Sequence, residues 1–155
     1  MPMPDAKMKI NKDGVKFTSR VDAAQYTIRE LTRAALGDIG RLLRYEAVKE
    51  FKLVKGVGVK QARNVIQYWN RSKETDLEIG YGNTKKNQTG KIWYAIPQEL
   101  GINNQPKKAR LRNLVYRNIP NIIKIQSQYL SALNDEARAM SLIDEEENSS
   151  DREDE

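Results

Sequence analysis

The sequence predicts an α+β fold, in which a small antiparallel sheet packs against two long helices and precedes a disordered, acidic C-terminal tail. Short alternations of apolar and polar residues, as at residues 77–81, are typical of half-buried strands. Apolar residues at steps of three and four over about 22–51 and 109–141 are typical of helices. Residues 1–143 are therefore predicted to form one domain, and residues 144–155 a tail with too few apolar side chains to order.

The N-terminal region predicts a hairpin and then a long helix. Residues 7–18 alternate around a turn at Asn11 to Gly14, where glycine accepts a positive φ. From Asp22 to Phe51 a helix is predicted, and Gly37 and Gly40 within it would let another backbone approach closely. Its predicted apolar stripe consists of Ala24, Ile28, Leu31, Ala35, Ile39 and Leu42.

The middle of the chain predicts a break, a short helix and a second hairpin. Residues 55–58 contain two glycines and end the long helix, and residues 60–71 are predicted to be helical, with Val65, Ile66 and Trp69 on the apolar side. Leu77 to Tyr81 predicts a strand, and residues 91–94 its partner. The polar connector at residues 83–90 is an expected contact loop that carries Lys85 and Lys86.

The last part predicts a helical turn at Gln98 to Leu100 that ends at Gly101, and then one long helix over about 109–141, kinked at Pro120. The polar loop at residues 102–108 is a second expected contact loop, and its candidate interface residues are Lys107 and Lys108. The predicted apolar stripe of the helix consists of Ile119, Ile122, Ile123, Gln126, Tyr129, Leu130 and Leu133.

Composition excludes several classes of function. The chain has 155 residues and neither cysteine nor histidine, so disulfides, thiolate zinc sites and catalytic triads that use either residue are excluded. No cluster of residues supports catalysis or a cofactor, and we expect a protein that is not an enzyme. No apolar run reaches the roughly 20 residues needed to cross a bilayer. The expectation is a soluble protein made in a cytoplasm, with no membrane partner.

Charge is distributed unevenly along the chain. The acidic tail, residues 144–155, has eight acidic residues and one arginine, and so carries −7. Subtracting that charge from the net +6 of the whole chain leaves +13 for residues 1–143. Such a basic body predicts an anionic partner, either nucleic acid or the acidic face of a protein, although a solvated lysine-rich surface remains the alternative.

A motif in residues 92–115 resembles a known family. A strand leads into Tyr-Ala-x-x-x-Glu-x-Gly, a loop with Pro106 follows, and Leu-Arg opens the last helix. This pattern resembles the short tail-component or neck family of long-tailed bacteriophages, also called tail completion or head–tail joining proteins. The chain departs from the family's pattern at residues 55–60 and at Ala109-Arg110. The matching residues are Tyr94, Ala95, Glu99, Gly101, Leu111 and Arg112.

The resemblance implies a structural virion protein rather than an enzyme. It would act as a subunit of a homo-oligomeric ring of six copies, between the head connector or stopper and the tail tube or tail terminator. Assembly would take place in the cytoplasm of the bacterial host, and DNA would pass through the lumen. The six motif residues are expected mainly to form the fold, with Glu99 bonding backbone N–H groups or Arg112 and Gly101 ending a helical turn in the left-handed conformation.

A helix-hairpin-helix element is the alternative. Residues 55–66 contain Gly56 and Gly58, which would let backbone N–H groups approach a DNA phosphate, and Lys60 and Arg63, which would add positive charge. This element predicts a DNA-binding protein without sequence specificity.

Overall fold

The computed structural model describes residues 8–12, 14–52, 66–71, 75–82, 99–102 and 106–150. The predicted α+β fold is confirmed, with the strands in two small antiparallel sheets. The described part of the chain contains strands β1 (Met8–Lys12), β2 (Val15–Ser19), β3 (Ile66–Asn70) and β4 (Leu77–Tyr81), and helices α1 (Val21–Lys52), α2 (Arg110–Arg117), α3 (Ile119–Ala132) and α4 (Glu136–Ser150).

The N-terminal hairpin and the long helix form as predicted. β1 pairs with β2 in antiparallel register, with Lys12 opposite Val15, and Gly14 in the turn has φ +80°. Helix α1 begins and ends within one residue of the predicted limits. Its predicted stripe is only partly correct, because Ala24 and Ile28 are exposed.

The hairpin of β3 and β4 corrects the prediction of a helix at residues 60–71 for residues 66–70, while residues 60–65 lie outside the described residues. Residues 66–70 form β3, which pairs with β4 so that Ile66 lies opposite Tyr81 and Tyr68 opposite Ile79. Ile66 is fully buried, whereas Trp69, predicted on an apolar side, is 45% exposed. An apolar run this short fits both helical and strand spacing, and pairing with β4 decides between them. The predicted strand at residues 91–94 lies outside the described residues.

Two compact units make up the chain, Leu36–Ile125 and the combination of Met1–Ala35 with Gln126–Glu155. In the Leu36–Ile125 unit, one hydrophobic core joins α1, β3 and α2, and residues of β4 pack against it. Its buried members are Ile39, Leu43, Ala47, Val48, Ile66, Leu111 and Leu114.

A close contact within this core explains why position 40 of α1 is a glycine. A Cβ on Gly40 would lie 2.3 Å from Cδ2 of Tyr68, so the aromatic ring of β3 rests directly on the backbone of α1. The sequence predicted that another backbone would approach a glycine of α1, whereas at Gly40 the approaching group is a side chain.

In the other unit, buried residues come from α1, α3 and α4. They are Leu31, Ala34, Ala35, Tyr129, Ala132, Ala139 and Ile143. The hairpin β1–β2 belongs to the same unit, and the described side chains of its strands are exposed except that of Ser19, which is half-buried.

The single kinked C-terminal helix was predicted wrongly, because the structure has three helices there. Asn118 ends α2, and its carbonyl accepts the first hydrogen bond of α3, from Ile122. Pro120 thus stands in the first turn of α3, where a missing N–H costs little. Asp135 opens α4, since its Oδ1 accepts the N–H groups of Ala137 (3.0 Å) and Arg138 (3.3 Å).

Two details of the C-terminal prediction also change. The predicted stripe is largely on the wrong side of α3, because Ile123 is 58% and Leu130 65% exposed. Helix α4 continues to Ser150 rather than ending near Ser141, so it includes the first seven residues of the acidic tail.

Candidate interaction surface

The carboxylate of Glu99 joins three parts of the Leu36–Ile125 unit. Its Oε2 accepts the backbone N–H of Leu111 at 3.1 Å, and its Oε1 accepts that of Arg112 at 3.1 Å. The Tyr81 hydroxyl donates to Oε2 at 3.3 Å. The expectation that Glu99 bonds backbone N–H groups is therefore confirmed, and one side chain ties the end of β4 and the helical turn at residues 99–100 to the start of α2.

The Glu99 side chain caps the N-terminus of α2. The residue at the N-cap position is Ala109, which has no side-chain oxygen and makes no capping bond. The second and third N–H groups of a helix have no partner within it and are usually satisfied by the cap. In α2 these groups belong to Leu111 and Arg112, so Glu99 supplies the missing cap from an earlier part of the chain.

Tyr81 remains a donor in this arrangement. Burial, and then the neighbouring Glu99 carboxylate, raise the pKa of the Tyr81 hydroxyl well above its usual value. The hydroxyl is therefore neutral around neutral pH and keeps its proton available for Glu99.

Two residues that flank the loop before α2 have a left-handed backbone conformation. Gly101 has φ +75°, which confirms the predicted left-handed end of the helical turn. A Cβ on Gly101 would lie 2.8 Å from Cβ and 3.2 Å from the backbone nitrogen of Lys107, so the loop packs against this glycine. Ala109 has φ 43° and ψ 41°, a conformation that costs a residue with a side chain about 1 kcal/mol or more.

The loop and the first turn of α2 carry a group of cations, here called the basic patch and defined as Lys107, Lys108, Arg110 and Arg112. Lys107, Lys108 and Arg112 are exposed and Arg110 is half-buried. Within the described part of the chain none of the four side chains forms an ion pair. The patch thus presents four cations that form no ion pair with the described residues, beside a helix start held by Glu99.

The other predicted site residues lie outside the described residues. They are the motif residues Tyr94 and Ala95, the loop residues Lys85 and Lys86, and the candidate DNA contacts Gly56, Gly58, Lys60 and Arg63. The alternative helix-hairpin-helix element ends at Ile66, which is the first residue of β3.

Sequence reasoning did not connect Tyr81 with Glu99. The bond from Tyr81 to Glu99 spans 18 residues, and no local pattern indicates it. Among residues that the structure describes, no three acidic side chains are grouped to hold a metal ion, and no helix is long and apolar enough to span a membrane.

Comparison with protein-family models, with curated proteins and with solved structures finds no match to this chain. The likeness to the phage neck family therefore depends on the motif residues themselves. Of those six, the four that are described, Glu99, Gly101, Leu111 and Arg112, all belong to the region around the Glu99 carboxylate.

Proposed function

We propose that this chain is a structural subunit of a bacteriophage neck. In this role it completes the tail and joins it to the head connector, as one copy in a ring through which DNA passes. Its partners are further copies of itself, the connector or stopper on one side, and the tail tube or terminator on the other.

The observation that carries the proposal is the role of Glu99 between the two halves of the motif. Its carboxylate bonds the backbone of Leu111 and Arg112, so the glutamate and the Leu-Arg pair of the motif form one structural element. That element fixes the loop carrying Lys107 and Lys108, whose side chains are exposed. An exposed, charged loop whose two ends are tied together is suited to contact with another protein, because less entropy is lost when it binds.

Loss of the gene tests the proposal directly. In the phage or prophage that encodes the chain, deletion is expected to give filled heads and finished tails that accumulate separately, as seen by negative-stain electron microscopy of the lysate. Expression of the wild-type chain from a plasmid should restore joined particles. Normal joined virions after deletion would refute the proposed function.

A pair of matched variants tests the loop. Lys107→Glu with Lys108→Glu should leave the chain folded and fail to restore joining. Lys9→Glu with Lys12→Glu makes the same change of charge on the exposed strand β1 and should restore it. If the loop variant also restores joining, the contact does not involve these lysines.

A further inference from the structure

The basic patch concentrates cations that form no ion pair with the described residues. Elsewhere in the described part of the chain, Arg41 pairs with Asp38, Arg71 with Asp76 and Glu78, and Arg117 with Glu50 at 2.7 Å. The four cations of the patch lie within six residues and have no such pair among the residues that the structure describes. Concentrated charge of one sign is suited to a partner of the opposite sign.

The chain itself contains the complementary charge. The acidic tail carries −7, and it is the largest concentration of one sign in the sequence. Carboxylates form charge-assisted hydrogen bonds with both arginine and lysine. An acidic peptide of this kind therefore has the chemistry that the patch lacks.

We propose that the acidic tail of one copy binds the basic patch of a neighbouring copy. The inference rests on the proposed function and deepens it, because it names a contact between subunits of the ring. Tail and patch are different surfaces of the same chain, so each copy gives one and receives one. Such a head-to-tail contact is the type that closes into rings. It also offsets the repulsion between bodies that each carry +13.

The occupant expected is an acidic peptide rather than nucleic acid. A phosphate at a helix start normally accepts bonds from the free backbone N–H groups. In α2 Glu99 already accepts those of Leu111 and Arg112, so the backbone there offers no bond to a phosphate. Only the side chains of the patch remain available to an incoming anion.

Two full-length variants separate the surfaces. The patch variant carries Lys107→Glu, Lys108→Glu and Arg112→Glu, while the tail variant has the eight acidic residues of 144–155 replaced by asparagine or glutamine. The charge control carries Lys9→Glu, Lys12→Glu and Lys16→Glu, which are exposed on β1 and β2. Circular dichroism establishes that each variant is folded, and sedimentation velocity measures association at matched concentrations and at low and high salt.

Wild type and charge control are expected to associate at low salt and to dissociate as salt rises, since screening weakens exposed pairs. The patch and tail variants should each associate on the order of tenfold to a hundredfold more weakly, because several exposed ion pairs are lost. In an equimolar mixture, the patch variant still has an intact tail and the tail variant still has an intact patch. The mixture should therefore form a dimer that does not add further copies.

Several outcomes would overturn the inference. The inference is wrong if the wild-type protein stays monomeric, or if the patch and tail variants associate as strongly as wild type. It is also wrong if the mixture of the two variants stays monomeric, or if the charge control loses association as strongly as the patch variant. Retention of wild type on duplex DNA, lost only in the patch variant while self-association is unchanged, would assign the patch to nucleic acid. If the inference fails but gene deletion still separates heads from tails, the neck function stands and the ring uses other contacts.

Discussion

Replacement of Glu99 by alanine tests whether one carboxylate supports the start of α2. The change removes the acceptor for the N–H groups of Leu111 and Arg112 and for the Tyr81 hydroxyl. Loss of a helix cap costs about 1–2 kcal/mol. A partly buried hydroxyl without a partner adds about 1 kcal/mol. We therefore expect Glu99→Ala to lower the free energy of unfolding by about 2–3 kcal/mol.

Urea denaturation followed by far-UV circular dichroism measures this loss, provided that the slope with denaturant is unchanged. The matched control is Glu78→Ala, which removes an exposed acid of β4 that pairs only with an exposed arginine, and should cost less than about 1 kcal/mol. A double-mutant cycle with Tyr81→Phe should give a coupling energy of about 0.5–1.5 kcal/mol. A loss of under about 0.5 kcal/mol for Glu99→Ala would refute the capping role.

Three further predictions concern the same unit. Gly101→Ala should lower the free energy of unfolding, measured by urea denaturation, by about 2 kcal/mol, because φ is +75° and the new Cβ would lie 2.8 Å from the Cβ of Lys107. An unchanged urea midpoint would mean that the loop relaxes to accept the alanine. Gly40→Ala should cost about 1–2 kcal/mol, as the clash with Tyr68 exceeds the gain in helix propensity, and the cost should shrink in a Tyr68→Ala background. Because the pKa of Tyr81 is raised in the folded state, its contribution to the free energy of unfolding should be fully present below about pH 10 and be lost above it. In an absorbance titration, one of the seven tyrosines should therefore ionise only when the protein unfolds. Tyr81→Phe should remove that late step.

Elements defined by local chemistry were predictable from the sequence. The first hairpin follows from alternation around a glycine turn, and α1 from a long run of helical spacing. Glu99 and Gly101 were likewise placed correctly, since a helical turn that ends in glycine is a local signal.

Elements decided by distant contacts were not predictable in the same way. Residues 66–70 form a strand because β4 pairs with them, and no signal within the segment itself excludes a helix. Helix α3 has apolar residues on more than one side, so periodicity alone did not show that Ile122 and Ile125 would pack on the core while Ile123 stayed exposed. The break at Asp135 did have a local signal, because aspartate before a helical run is a common cap.

The positive charges at the start of α2 indicate that the basic patch does not stabilise the fold. Arg110 and Arg112 occupy the first turn, which contains no acidic residue, and cations there oppose the helix dipole by about 0.3–1 kcal/mol each. Glu99 offsets that penalty from outside the helix. A locally unfavourable choice that is compensated elsewhere is typical of a functional site. Arg112→Gln is therefore expected to leave the free energy of unfolding unchanged or to raise it by up to about 0.5 kcal/mol, while weakening self-association in sedimentation velocity. A loss of stability above about 1 kcal/mol would show instead that the arginine supports the fold, and the argument from the helix dipole would be wrong.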